Sequence, residues 1–234
     1  MEAHFSWWNF VLAKLHLGHE FEPVIAAMFA TTVVIVLSLA GRLALGSGEA
    51  AIRPAGRLSL KGFFEAFTEF MDGMVSMVLG HHARQYIPHF GAIFFFIALS
   101  NLIGLLPGFS ASTANLNAAF SIGIFSFIVY NVIGVWHSGL AYFKHFLGPP
   151  IPGLFILMLP IEIISNCVRP ISLGMRLSVN MTADHTILGT FINLTKIGAP
   201  VIFYGMGTFV SIVQAFVFTM LSMVYVMMAT ADDH

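Results

Sequence analysis

Apolar residues fall into five long runs, 23–45, 90–106, 118–136, 153–193 and 198–230, with shorter polar stretches between them. An α-helix crosses the ~30 Å hydrocarbon core of a bilayer in about 20 apolar residues. The first three runs match that length. The last two overshoot it, because at 1.5 Å per residue they make helices of roughly 60 and 50 Å. Neither contains a charged loop at which the chain could turn, although Pro170 offers the first of them a kink. Both are therefore expected to lie steeply tilted, as a hairpin joined through "LTKIGAP", with something curved alongside. The pattern predicts an all-α polytopic membrane protein, a single membrane domain over 1–234 with five spanning helices.

Residues 60–80 differ in kind. Phe63, Phe64, Phe67, Phe70, Met71, Met74 and Val78 recur at helical spacing, with Glu65, Glu69 and Asp72 opposite. That is an amphipathic helix, to be laid along the membrane interface or packed on a partner. Residues 1–22 open on "MEAHFSWWNF" and lack the basic start of a signal peptide. Trp7 and Trp8 suit an interfacial segment.

Arg42, Arg53, Arg57 and Lys61 cluster after the first run, and Lys144 with "GPPIPG" comes after the third. Positive loops stay on the cytoplasmic side, so the N-terminus is expected outside and the C-terminus inside. Lys196, on the outer turn of the hairpin, runs against this. Composition agrees with the membrane assignment: 58% of the residues are hydrophobic and only 9% charged, against roughly 25% charged in soluble domains. A net charge of −1 leaves no basic footprint for nucleic acid. The one cysteine, Cys167, excludes an internal disulfide or thiolate cluster and is expected to pack within its apolar run. There is no internal repeat of the transporter kind.

The stretch "LPIEIISNCVRPISLGMRLSVNMTADH", residues 159–185, breaks the apolar pattern. On a helical wheel with Arg176 at zero, Arg169 falls at about +20°, Glu162 and Asn180 at about +40°, Asn166 and Asp184 at about +80°, and Ser172 at about −40°. These polar groups share one face. Glu162, Asn166 and Arg169 could satisfy one another, with Arg169 pairing to Glu162, and that reading stands open beside a functional one. Arg176 has no acid three or four residues away on either side. An intramembrane arginine costs ~2.5 kcal/mol or more on insertion scales and is a functional candidate by default. It stays protonated at physiological pH, so it acts as a fixed charge that blocks cations and favours the ionised form of a carboxylate. His185 lies at about 180°, away from the stripe. A histidine there is either a packing group or a proton relay, and the adjacent Asp184 leans toward the relay.

The last run has a face of its own, with Gly207, Ser211, Gln214, Ser222 and Tyr225 together. Small and hydrogen-bonding residues are what membrane helices pack with, which suits Ser222 and Tyr225. Gln214 costs more to bury unsatisfied and belongs near Arg176.

"PIEIISNCVRPISLGMRLSVNMTADH", followed by "IVQAFVFTMLSMVYV", resembles the a subunit of rotary F-type ATP synthases, and "LSNLIGLLPG" and "TANLN" match that family's second and third spans. The resemblance covers nearly the whole chain from about residue 23. It implies a non-catalytic stator subunit in the bacterial inner membrane, conducting protons through two offset half-channels to the carboxylates of a rotating ring. The implied partners are c-ring subunits, b-type peripheral stalk subunits and membrane lipid; no cofactor and no nucleic acid is implied. Arg176 matches the essential arginine, and Asn180, Gln214 and His185 match positions along the path or supporting it. Glu162, Asn101 and Asn117 match polar family positions with weaker claims. The family usually has Gly where this chain has Asp184, and often His or Glu where it has Gly207. A titrating group is therefore expected to have moved from 207 to 184.

Two other function classes compete with this one. A secondary proton-coupled transporter would show repeats and a pocket for its substrate. A His-box metalloenzyme is prompted by His81, His82, His89, His137 and His145, but their spacing is irregular for such boxes. "GFSAS" and "GTFVS" lack the surroundings of a serine nucleophile, and no Gly-rich phosphate loop is present.

Overall fold

The computed structural model describes residues 6–16, 18–45, 59–139, 154–194 and 198–230. These form seven α-helices: α1 Trp7–Leu15, α2 Glu22–Leu45, α3 Leu60–Leu79, α4 Ile87–Gly104, α5 Leu116–Ser138, α6 Leu154–Leu194 and α7 Gly198–Thr230. Three 3-10 turns, His19–Phe21, His81–Tyr86 and Ser112–Ala114, link them. No strand occurs among the described residues. Four helical stretches are long and apolar enough to cross a membrane: His19–Leu45, Arg84–Gly104, Leu116–Trp136 and Pro200–Thr230. α6 is not among these four: from residue 159 onward, where its side chains are described, the polar stripe lowers the average.

The local sequence explains where helices start. Ser59 caps α3 by accepting from the Gly62 amide at 3.0 Å, and Asn115 caps α5 by accepting from the Asn117 amide at 2.9 Å. Pro88 stands in the first turn of α4, where its missing N–H costs nothing. In α2, the hydroxyls of Thr31 and Thr32 donate to their own helix carbonyls at 2.8 Å, so neither is stranded in an apolar setting.

The core is built from α4–α7 with α3 beneath. One cluster joins Ile93, Ile97, Ala119, Leu173, Leu177, Ala215 and Phe218 across four helices. A second brings Met71, Met74 and Val75 of α3 against Phe90, Tyr130, Ile133, Met223 and Val226. The amphipathic helix is thus packed on its own chain, tied further by the Arg84 guanidinium, which donates to both oxygens of Asp72 at 2.9 and 3.1 Å. Many large apolar side chains remain exposed, Leu43 at 83% and Ile202 at 71% among them, as suits a surface facing hydrocarbon. Cys167 is one of the exposed residues, not a packed one. Trp7 is exposed, but Trp8 turns inward on Phe29 and Phe109 and donates from Nε1 to the Ser110 carbonyl at 3.2 Å.

α6 continues through Pro160 and Pro170 without a break. Proline removes the amide that would bond the carbonyl four residues back, here that of Asn166. The Tyr130 hydroxyl from α5 reaches this spot, donating in a short bond to the Asn166 side-chain oxygen and lying 3.5 Å from the freed carbonyl. Close by, α5 and α6 touch backbone to backbone. A Cβ on Gly123 would stand 2.5 Å from the Pro170 carbonyl oxygen, and one on Gly174 would stand 3.0 Å from the Phe120 Cα. Neither obstacle is a flexible side-chain tip. Gly123→Ala is therefore expected to destabilise the helix pair by ~1–3 kcal/mol, as overpacking does. Thermal unfolding of the detergent-purified complex would read this as a lowered transition; an unchanged one would contradict the close approach.

α6 and α7 form the antiparallel hairpin. Phe191 stacks on Phe203 with centroids 4.0 Å apart, Asn180 bonds Gln214, and Arg169 lies over Tyr225. These pairs keep one register over most of the hairpin, each residue advance on α6 matched by a retreat on α7. Its long-axis contact is what the two overlong apolar runs predict.

Candidate functional site

Arg176 sits at the middle of α6 and is exposed. Among the described residues no acid forms an ion pair with it; the two ion pairs found are Lys61–Glu65 and Arg84–Asp72. Its surroundings on the helix surface are the exposed Met175 and Val179. A permanent cation thus stands at the exposed edge of the polar stripe, beside apolar side chains that the chain itself leaves uncovered. The α6 groups on the flank nearer the bundle turn inward by degrees: Asn180 and Asp184 are half-buried and Asn166 is buried.

One turn beyond Arg176, the Asn180 side-chain amide donates to Gln214 Oε1 at 2.8 Å. Gln214 is buried, and its own Nε2 has no protein partner. This bond fixes the two long helices together beside the arginine, as expected for Gln214. Gly207, two turns further along α7, meets Asp184. The carboxylate oxygen Oδ2 lies 2.6 Å from where a Cβ on residue 207 would stand, and Leu105 Cδ2 lies 2.8 Å from it. A side chain of any size at 207 would occupy the space that Asp184 now takes. Asp184 Oδ2, His185 Nε2, Ser211 Oγ and Asn101 Nδ2 are likewise buried without protein partners. Each such atom costs about 1–3 kcal/mol if left dry, and each offers a hydrogen-bonding position to an ordered water.

Asn101 is fully buried near the C-terminal end of α4, where Thr113 donates to its Oδ1 at 2.6 Å. The same 3-10 turn is held to α6 by Ser178 and Thr182, both donating to the Ala114 carbonyl at 2.7 and 3.2 Å. Asn101 is thereby linked to the helix that carries Asn180. Asn117 is not. It lines a groove of about 880 Å³ between α2, α4 and α5, with His89, Phe125, Ser112 and Asn115 on its walls and no residue of α6 or α7.

Glu162 lies on α6 at 14 residues' remove from Arg176, roughly 21 Å along the axis, and is half-buried. It does not pair with Arg169. The Arg169 guanidinium instead lies 5.1 Å from the centroid of the Tyr225 ring. Ser222, expected to be a packing residue, bonds Ser126 of α5 at 2.8 Å and the Phe218 carbonyl at 3.0 Å. Sequence reasoning missed Ser178, Thr182 and Thr113 because their partners lie in a different element. The α-helical spacing of Ser178 and Thr182, four apart, was the available signal.

Among the described residues, no group of three His, Cys, Asp or Glu is placed to hold a metal ion. His89 packs against Phe90 and Phe125. The side chains of His81, His82 and His137, and all of His145, Lys144, Lys196, Arg53 and Arg57, lie outside what the structure describes.

Residues 25–227 match the family described as "ATP synthase A chain". The chain belongs to this family. It is 48% identical to ATP synthase subunit a of Bdellovibrio bacteriovorus over 98% of this chain and 99% of that one. It is 40% identical to ATP synthase subunit a of Solibacter usitatus over 75% of each chain, and 35% identical to ATP synthase subunit a 2 of Syntrophotalea carbinolica over 97% of each. Family members are proton-translocating membrane subunits of a larger complex and are not themselves catalytic.

Proposed function

We propose that this chain is the stator of a rotary ATP synthase in a bacterial inner membrane, passing protons to and from the carboxylates of a c-ring seated against the α6–α7 hairpin. The observation that carries the reading is Arg176: a fixed cation, exposed beside apolar side chains, with no acid of its own chain paired to it among the described residues. Such a charge needs a carboxylate from elsewhere, and a ring that presents one carboxylate after another supplies it. The guanidinium stays protonated, so protons cannot pass straight through and must leave by a second route.

The outer route is assigned to Asp184, His185, Asn101 and the polar side of α7, which hold all the buried polar atoms without protein partners found among the described residues except Ser76 Oγ of α3. Asn180 and Gln214 hold the hairpin at the arginine. The inner route is assigned to Glu162, on the same α6 face and nearer the cytoplasm. Asn117, on its separate groove, has the weakest claim to either route. b-type stalk subunits are the other expected partners. The test of the whole reading is ATP-driven proton pumping by membrane vesicles carrying Arg176 variants.

The reading requires α6 to cross the membrane as a fifth span, with the N-terminus outside and the C-terminus inside. Single cysteines at positions 3, 50 and 233, introduced after Cys167→Ser because Cys167 is exposed, would test this. Positions 50 and 233 are expected to label only from the cytoplasmic side and position 3 only from outside. Labelling of position 50 from outside would reverse the orientation.

A further inference from the structure

We propose that Tyr225 is a positioning residue that holds Arg169 away from Glu162 and so keeps the inner-route carboxylate free to exchange protons. The inference rests on the assignment of Glu162 to that route.

Arg169 and Glu162 are seven residues apart on nearly the same helix face, so two extended side chains can approach each other across two turns. In a dry setting a guanidinium and a carboxylate pair strongly, and a paired carboxylate no longer gives or takes a proton readily. Left to its own helix, α6 would therefore set its second arginine on the acid. The structure has a different arrangement. The Arg169 guanidinium lies 5.1 Å from the Tyr225 ring centroid, within reach of the negative face of the ring. No ion pair joins it to Glu162.

Tyr225 is itself held. Its ring lies 5.8 Å from that of Tyr130, which is buried and anchored by its hydroxyl on Asn166. The anchor is the gap opened in α6 by Pro170, one residue after Arg169. Proline, tyrosine and asparagine thus build a rigid stand beneath the ring that receives the cation. Among the described residues, the titratable groups around this contact include Glu162, Cys167 and Arg169 on α6, Tyr130 on α5 and Tyr225 on α7. Arg169 is the one permanent charge among them. A π face suits this task because it holds a cation without neutralising it and offers no carboxylate that could compete for protons. Tyrosine at 225 also fits the register of the hairpin, in which Arg169 and Tyr225 are opposed just as Asn180 and Gln214 are.

The experiment measures ATP-driven proton pumping in inverted vesicles, normalised to assembled complex. Tyr225→Phe keeps the ring face and is expected to pump like the parent. Tyr225→Leu removes the face, releases Arg169, and is expected to reduce pumping about fivefold or more, in line with the strength of a desolvated cation–π contact. The deciding variant is Tyr225→Leu combined with Arg169→Gln. It is expected to recover most of the pumping, because the cation that would block Glu162 is gone. A purely structural role for Tyr225 predicts no recovery, and that result overturns the proposal. A Tyr225→Phe variant as impaired as Tyr225→Leu overturns it too, since the hydroxyl would then matter and not the face. Should Tyr225→Leu fail to assemble, Tyr225→Met takes its place in both arms. Glu162→Gln separates the positioning role from the route it serves. Undiminished pumping there removes Glu162 from the inner route whatever Tyr225 does, whereas lost pumping with no rescue by Arg169→Gln rejects only the positioning role.

Discussion

Replacing Arg176 by alanine is expected to reduce ATP-driven proton pumping to background while the complex still assembles. Assembly should survive because Arg176 is exposed, makes no ion pair among the described residues and props no neighbouring side chain. Substitutions at such positions usually stay within about 0.5 kcal/mol. Pumping should fail because nothing else on the α6 surface can replace a fixed cation there. Arg169 is turned to Tyr225, and the nearest polar partners, Asn180 and Gln214, are neutral and bonded to each other. Arg176→Lys retains a charge but offers a single flexible ammonium that deprotonates more readily when buried, so it should pump only marginally. Near-normal pumping by assembled Arg176→Ala would sink the stator reading altogether.

The helices themselves were open to sequence reasoning, because each apolar run is bounded by polar stretches and is long enough for a helix. The polar stripe was legible as well. Its members lie on one α6 face, and Gln214 meets Asn180 as its chemistry demands. What could not be read were relations between elements. The spacing of Arg169 and Glu162 suggested an ion pair, yet the guanidinium found an aromatic ring on another helix. Pro170 marked a gap in the α6 ladder, but not that the Tyr130 hydroxyl, 36 residues from Asn166 in sequence, reaches the carbonyl it frees. Cys167 and Trp8 show a further limit. Lipid is as apolar as a protein core, so an apolar run does not tell which of its residues pack and which face outward. Trp8 proved inward and Cys167 outward. The exchange between positions 184 and 207 was suggested by departures from the family's pattern; the structure sets Asp184 against Gly207, and the variants below test whether a carboxylate acts there.

At that contact Asp184 fills the space beside Gly207, with Oδ2 2.6 Å from the place of a Cβ at 207. A carboxylate rooted on either helix could reach this spot, but not both at once. Asp184→Gly is expected to lower proton pumping roughly tenfold or more, as loss of a proton-relaying group does. Gly207→Glu alone should also impair it, by crowding Asp184 and Leu105 and setting two like charges together. The two changes combined remove the crowding and return one carboxylate to the same space from α7, so pumping should partly recover. A combined variant no better than Asp184→Gly would show that the carboxylate must come from α6, and that the exchange is not functional. His185 is tested beside it. Its Nε2 is buried without a protein partner, next to the carboxylate that borders Gly207. If imidazole relays protons here, an assembled His185→Gln complex should lose the inflection of its pH–rate profile between about pH 5 and 8, the range in which histidine titrates. An unchanged profile would make His185 a packing residue and leave Asp184 as the sole acid of the outer route. The carboxylate is the more demanding requirement of the two: it fills a space between the long helices that a side chain at 207 would otherwise take.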